Sequence, residues 1–143
     1  TLKRLADIDN IVAVKECNLL QAAEILYLCG DKLDLYSGED ANIVPLLALG
    51  GKGVISVIAN IIPKDTHNLV KSFLDGDIET SRKLQIKSVP VEKALFCETN
   101  PIPVKAAMNL MGFNVGPCRM PLVEISESGL AQLKKALVEY GIM

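Results

Sequence analysis

The sequence predicts an α/β fold in which a small parallel sheet is followed by a run of helices. Three features predict it. Short apolar runs at Ile11 to Val14, Leu33 to Tyr36 and Val54 to Val57 have strand length, and segments of helical spacing separate them. Strands that alternate with helices lie parallel, and right-handed crossovers put the helices outside the sheet. From Pro63 onward the apolar spacing is helical throughout. Three strands neither close a barrel nor make a good two-faced sheet, and no fixed-period repeat or low-complexity linker divides the chain.

Each element has local support. Leu2, Leu5 and Ile8 share a helical face behind a possible N-cap at Thr1, so the chain opens already in helical pattern, as if it continued something longer. Ile11 to Val14 is long enough for a buried strand, is bounded by Asp9-Asn10, and ends abruptly on Lys15. Residues 18 to 29 form a helix stopped by Gly30-Asp31. Leu33 to Tyr36 stops at Ser37-Gly38-Glu39-Asp40, whose acids suit the first turn of the next helix. That helix, about Ala41 to Leu49, contains Pro45 and is apolar almost all round, which predicts thorough burial. Gly50-Gly51-Lys52-Gly53 reads as a tight helix-to-strand turn with left-handed glycines. Four helices complete the chain: Pro63 to Leu74, Ile78 to Phe96, Pro101 to Met111 with Asn100 as N-cap and Pro101 at the first helical position, and Glu127 to Tyr140.

Composition excludes several function classes. The formal charge of −2, with both signs scattered, leaves no footprint for nucleic acid. The most hydrophobic stretch, Ile43 to Pro63, is interrupted by Gly50-Gly51-Lys52-Gly53 and Asn60, so the sequence predicts a soluble protein and no membrane partner. Cys17, Cys29, Cys97 and Cys118 show no C-x-x-C spacing and His67 is the single histidine, which predicts free thiols in a reducing cytoplasm, a surface histidine and no metal site. No Ser-His-Asp set is present. Half of the 143 residues are apolar. That excess implies a covering partner, either another subunit or another piece of the same fold.

Lys15 is the residue with chemistry. Active sites of barrels built from strand-helix units lie at the carboxyl ends of the strands, and a neutral lysine amine there attacks carbonyls to form a Schiff base. On the residues alone, a lysine that snorkels from a strand end accounts for it more simply. Gly50-Gly51-Lys52-Gly53 is no phosphate loop, because Gly53 stands where Ser or Thr is needed and the segment precedes a strand. Ser37 to Asp40 reads either as a ligand-facing strand end or, more simply, as a helix start.

Taken together, Asn-Ile-Val-Ala-Val-Lys-Glu at 10 to 16, Tyr-Ser-Gly-Glu-Asp at 36 to 40, Leu-Gly-Gly-Lys-Gly-Val-Ile-Ser-Val-Ile-Ala-Asn at 49 to 60 and Asn-Pro-Ile-Pro-Val-Lys at 100 to 105 resemble the dihydrodipicolinate synthase family in order and spacing over the whole chain. The resemblance implies the carboxyl-terminal part of a (β/α)8 barrel, with strands six to eight within residues 1–76 and extra carboxyl-terminal helices over 77–143. It assigns Lys15 the Schiff base with pyruvate, whose enamine attacks aspartate semialdehyde on the way to lysine and diaminopimelate, without a cofactor. It places the backbone of Ile55 against bound pyruvate and Gly38, Glu39 and Asp40 at the pocket mouth.

The family's paired threonines, proton-relay tyrosines and carboxylate-binding arginine precede the point matching Thr1, and Tyr36 matches an apolar position rather than one of those tyrosines. The segment by itself is therefore expected to have little activity and to associate with the missing amino-terminal half or with itself, the family parent being a homotetramer. Two other functions compete: a non-catalytic half-barrel that acts in assembly or regulation, and an aldolase for another 2-keto acid.

Overall fold

A computed structural model describes residues 1–143. The elements are α1 (Leu2–Leu5), β1 (Ala13–Glu16), α2 (Leu19–Cys29), β2 (Asp34–Ser37), α3 (Ile43–Ala48), β3 (Gly53–Val54), α4 (Pro63–Leu74), α5 (Ile78–Leu95), α6 (Ile102–Leu110) and α7 (Glu127–Tyr140). They fall into two compact units, residues 1–56 with 68–85 and residues 57–67 with 86–143.

The first unit holds the sheet, three parallel strands in the order β1-β2-β3. Val14 pairs with Leu35 and Lys15 with Tyr36, while Tyr36 pairs onward with Gly53. Asn18 starts α2 by accepting from the N–H groups of Leu20 (3.0 Å) and Gln21 (3.4 Å), and Gly30, at φ +56°, ends it. The spacing of Ala22, Ile25 and Cys29 turns one face of α2 onto Leu33, Leu35 and Leu46, with Val14 packed against that cluster. Ile43, Leu47 and Leu69 form a second cluster with Val54, Val70, Phe73 and Leu84 against it.

Several boundaries differ from those the sequence predicts. The first strand is displaced two residues along the chain, so Lys15 lies within β1 and Glu16 ends it. Backbone pairing fixes those limits. The ladder is entered by Asp34 N–H donating to Val12 O (2.8 Å) and left by Gly38 N–H donating to Glu16 O (2.8 Å). Nor is the strand buried, since its four residues alternate between exposed and half-buried. The third strand pairs only over Gly53–Val54, after which Ile58–Asn60 turns as a 3-10 helix. The first helix covers only Leu2–Leu5, and Thr1 makes no side-chain cap bond.

The helix expected from Ala41 to Leu49 is split into a 3-10 turn at Asp40–Asn42 and α3. It is not buried all round, because Pro45, Ala48 and Leu49 face solvent while Ile43, Leu46 and Leu47 pack inward. Pro45 sits in the first turn, where its missing N–H breaks no bond. Of the glycines that follow, Gly50 is left-handed (φ +105°), whereas Gly51 is needed for space: a methyl there would overlap the Leu46 side chain and stand 2.9 Å from Leu46 O.

The second unit packs Ile58, Ile61 and Ile62 with Val91, Leu95, Val104, Leu133 and Leu137. Ser126 caps α7 by accepting from Gly129 N–H (3.1 Å), and the left-handed Gly141 (φ +83°) ends it. Asn100 does not cap α6; Pro101 is the cap residue, at φ −100° and ψ 24°, so the helix begins at Ile102. Asp65 accepts from Lys87 Nζ (2.7 Å) and Tyr140 Oη (2.6 Å), and the Lys87 ammonium stands 4.4 Å above the Tyr140 ring centre. His67 is exposed, as expected, and all four cysteines are free thiols. No helix is long and apolar enough to cross a membrane.

Candidate active site

The period of two along a strand sorts the side chains of the sheet by face. Val14 and its partner Leu35 point to the side that α2 packs, where Leu35 is 1 % exposed. Lys15, its partner Tyr36, and Gly53 beyond them point to the opposite side. Continuing the register places Cys17, Gly38 and Ile55 on that same side, just past the paired residues. The carboxyl end of the sheet thus carries an amine, a thiol and a side-chain-free backbone on one open face.

Lys15 and Gly38 are brought into direct contact. A methyl group on Gly38 would overlap Cys17 Sγ and stand 2.8 Å from Lys15 Cε and 3.1 Å from Lys15 Cγ. The lysine stem and the cysteine sulfur therefore both lie over the Gly38 backbone, in room that exists because residue 38 has no side chain. The ammonium of Lys15 enters none of the chain's ion pairs.

The surrounding backbone is tied down. Glu16 Oε1 accepts from Asn18 N–H (2.7 Å), and Asn42 Nδ2 donates to Cys17 O (3.2 Å). Buried Ser37 donates from Oγ to Glu39 O (2.7 Å) and accepts from Glu39 N–H (3.2 Å), which folds the 37–39 segment on itself. Gln85 Nε2 donates to Asp40 O (2.9 Å) while Gln85 Oε1 accepts from Val44 N–H (3.2 Å), so one amide braces the start of α3.

The expected site residues take different positions. Ile55 donates its N–H to Ser37 O (2.8 Å) and leaves its side chain 53 % exposed. Glu39 is half-buried, and Asp40 is 1 % exposed at the start of the 3-10 turn. Cys17 is the residue that sequence reasoning left out of the site. Its spacing of two from Lys15 was the available signal.

No three His, Cys, Asp or Glu side chains converge on a point that would hold a metal ion. A cavity of about 670 Å³ lies in the second unit, between α6 and the segment leading to α7, and contains none of the expected site residues. Lys105 and Asn109 shape its wall by donating to the carbonyls of Pro117 (2.6 Å) and Gly116 (3.3 Å).

Comparison with known proteins gives a consistent result. The 4-hydroxy-tetrahydrodipicolinate synthase of Acetivibrio thermocellus is 58 % identical over 143 residues, which is all of this chain and 49 % of the relative. The chain thus spans about half the length of the curated relatives it matches. The crystal structure of the dihydrodipicolinate synthase of Thermotoga maritima superposes with a TM-score of 0.93 at 41 % identity, covering 99 % of this chain and 50 % of that one. That of Acinetobacter baumannii, complexed with pyruvate, gives 0.92 at 35 %, covering 99 % and 49 %. The three parallel strands and their helices correspond to the carboxyl-terminal half of these (β/α)8 barrels. With the model of the dihydrodipicolinate synthetase family matching residues 1–140, the chain belongs to that family.

Proposed function

We propose that the chain carries the Schiff-base lysine of a 4-hydroxy-tetrahydrodipicolinate synthase, and that Lys15 is that lysine. The observation that carries this reading is the position of Lys15 near the carboxyl end of β1, on the face away from α2, with its stem laid over Gly38. The neutral amine adds to the keto carbon of pyruvate; loss of water gives an iminium, and loss of a methyl proton gives an enamine. The enamine carbon then attacks the aldehyde of aspartate semialdehyde, and ring closure by the semialdehyde's amine releases Lys15. Gly38 leaves room for this chemistry, Ile55 lies against bound pyruvate, and Glu39 and Asp40 shape the mouth.

Condensation needs the positioned proton-transfer groups that the family resemblance locates ahead of Thr1, each worth about 10²- to 10⁴-fold. The outer strands β1 and β3 each pair on one edge only, and a closed barrel has no free edge. In this reading residues 1–76 join the rest of a barrel along those edges, and residues 77–143 form the added helical region.

Incubation with pyruvate, reduction with borohydride and peptide mass spectrometry test the assignment. An adduct on Lys15 is expected. A folded chain that gives no adduct, or gives it on another lysine, would overturn the assignment of Lys15.

A further inference from the structure

We propose that Asn42 is a positioning residue for Lys15: its side-chain amide clamps the exit of β1 to the turn that follows β2, and so holds the lysine in place beside Gly38. The inference rests on the proposed role of Lys15. Backbone pairing of the two strands ends with Gly38 N–H donating to Glu16 O (2.8 Å), one residue past Lys15. Beyond that bond the chains part, β1 toward α2 and β2 toward the 3-10 turn at Asp40–Asn42. Asn42 Nδ2 spans the gap by donating to Cys17 O (3.2 Å), a side-chain rung where the backbone rungs have stopped.

The donor is mounted on a braced turn. Asn42 N–H donates to Glu39 O (3.1 Å), which also accepts from Ser37 Oγ (2.7 Å). Asp40 O accepts from Gln85 Nε2 (2.9 Å) and from Ile43 N–H, and both Asp40 and Ile43 are buried. The acceptor lies on the looser side, since Cys17 is exposed and belongs to neither β1 nor α2. A bond from a braced donor to an exposed connection fixes the connection, as an outer shell fixes a reacting group. Lys15 is two residues away, so a strand end that moves carries its Cα along, and a nucleophile misplaced by an ångström can lose about 10²-fold in rate.

Three variants separate the donor from the volume it fills. Asn42→Asp keeps the shape but turns an oxygen toward the Cys17 carbonyl, Asn42→Ala removes the group, and Asn42→Gln keeps the donor on a longer stem. Amide exchange followed by NMR reads the clamp without pyruvate. Gly38 N–H should exchange about threefold to tenfold faster in the Asp and Ala variants, as for one lost hydrogen bond. Asp34 N–H, which donates to Val12 O at the other end of the ladder, should not change.

Borohydride trapping of pyruvate then reads Lys15. The rate at saturating pyruvate and high pH should fall about tenfold or more in Asn42→Asp, less in Asn42→Ala and least in Asn42→Gln, with the pH of half-maximal trapping unchanged. Parent-like Gly38 exchange in Asn42→Asp would overturn the proposal, as would faster exchange with an unaltered limiting rate. An alanine variant slower than the aspartate one would show a packing role instead, and a displaced pH midpoint with the limiting rate kept would show only the effect of a new charge; either result refutes the positioning role. A parent chain that gives no adduct would overturn the Schiff-base reading and with it the part of Asn42 in that reaction, while Gly38 exchange would still decide whether the clamp exists.

Discussion

Replacing Gly38 by alanine tests the packing on which the site depends. Gly38 is not among the glycines with positive φ, so alanine fits its backbone and the effect is steric. The added methyl would overlap Cys17 Sγ and stand 2.8 Å from Lys15 Cε. Overpacking of this kind costs about 1–3 kcal/mol, while removing a glycine from the unfolded chain returns about 0.4–1 kcal/mol. The sulfur and the lysine end are flexible and lie at the surface, so the lower end of the cost applies and the net loss is no more than about 0.6 kcal/mol, a fall in Tm of at most about 3 °C for a chain of this size. The lysine stem gives way, and pyruvate trapping at Lys15 should drop about tenfold to a hundredfold, as for a nucleophile moved by an ångström or so. Thermal melting followed by circular dichroism and the initial rate of borohydride trapping measure the two effects separately. Unchanged Tm together with unchanged trapping would refute the claim that Lys15 and Cys17 share the space above Gly38.

Other substitutions test the supports. Gln85→Ala removes one of the donors to Asp40 O, which keeps the Ile43 N–H, and the acceptor of Val44 N–H; a loss of about 1–2 kcal/mol is expected in urea denaturation. Asn18→Ala should cost about 1 kcal/mol by uncapping α2, and Asn18→Asp should retain most of it. Asp65 is held below its ordinary value of 3.8, first by its hydrogen bond from Lys87 and then by that from Tyr140. Its contribution is therefore fully present above pH 3.8 and is lost as the pH falls through the lower folded value, so Asp65→Asn should flatten the acid limb of a stability–pH curve. Tyr140 is raised above 10.0 by burial and then by Asp65, so stability should also decline as the pH rises beyond 10.0, a decline that Tyr140→Phe removes.

The carboxyl-terminal helices were legible because glycine and proline punctuate them: α4 and α7 have the limits the sequence predicts, and the left-handed Gly141 stands where the last should stop. The strands were legible in number and order but not in extent. Hydrophobicity marks what packs, whereas strand limits follow what pairs. Ile11 packs against the α2 cluster without joining the ladder, and Lys15 and Glu16 join it without being apolar. The same distinction governs the site. Lys15 and Gly38 stand in motifs readable from the sequence, but their contact depends on the register of β1 against β2, across the whole of α2. Cys17 was missed because a cysteine without a paired spacing was read for redox compartment and not for its neighbours.

With Lys15 as the proposed Schiff-base residue, the sheet would divide stability from chemistry between its two faces, which accounts for the exposure of the candidate site. Val14 and Leu35 face the α2 cluster and Val54 the Ile43 cluster, where burial rewards apolar side chains. Lys15, Cys17 and Ile55 stand on the other face and contribute nothing to either cluster. Truncating Lys15 to alanine should thus leave the melting temperature within about 2 °C of the parent, as for a surface change of under 0.5 kcal/mol, while abolishing the pyruvate adduct. Leu35→Ala should do the reverse at the level of cause: a buried leucine lost from the α2 side costs about 2–5 kcal/mol, and any loss of trapping should track the unfolded fraction, returning when the temperature is lowered. If Lys15→Ala destabilised the chain as much as Leu35→Ala, the open face would be part of the core, and its use as a reaction surface would have to be abandoned.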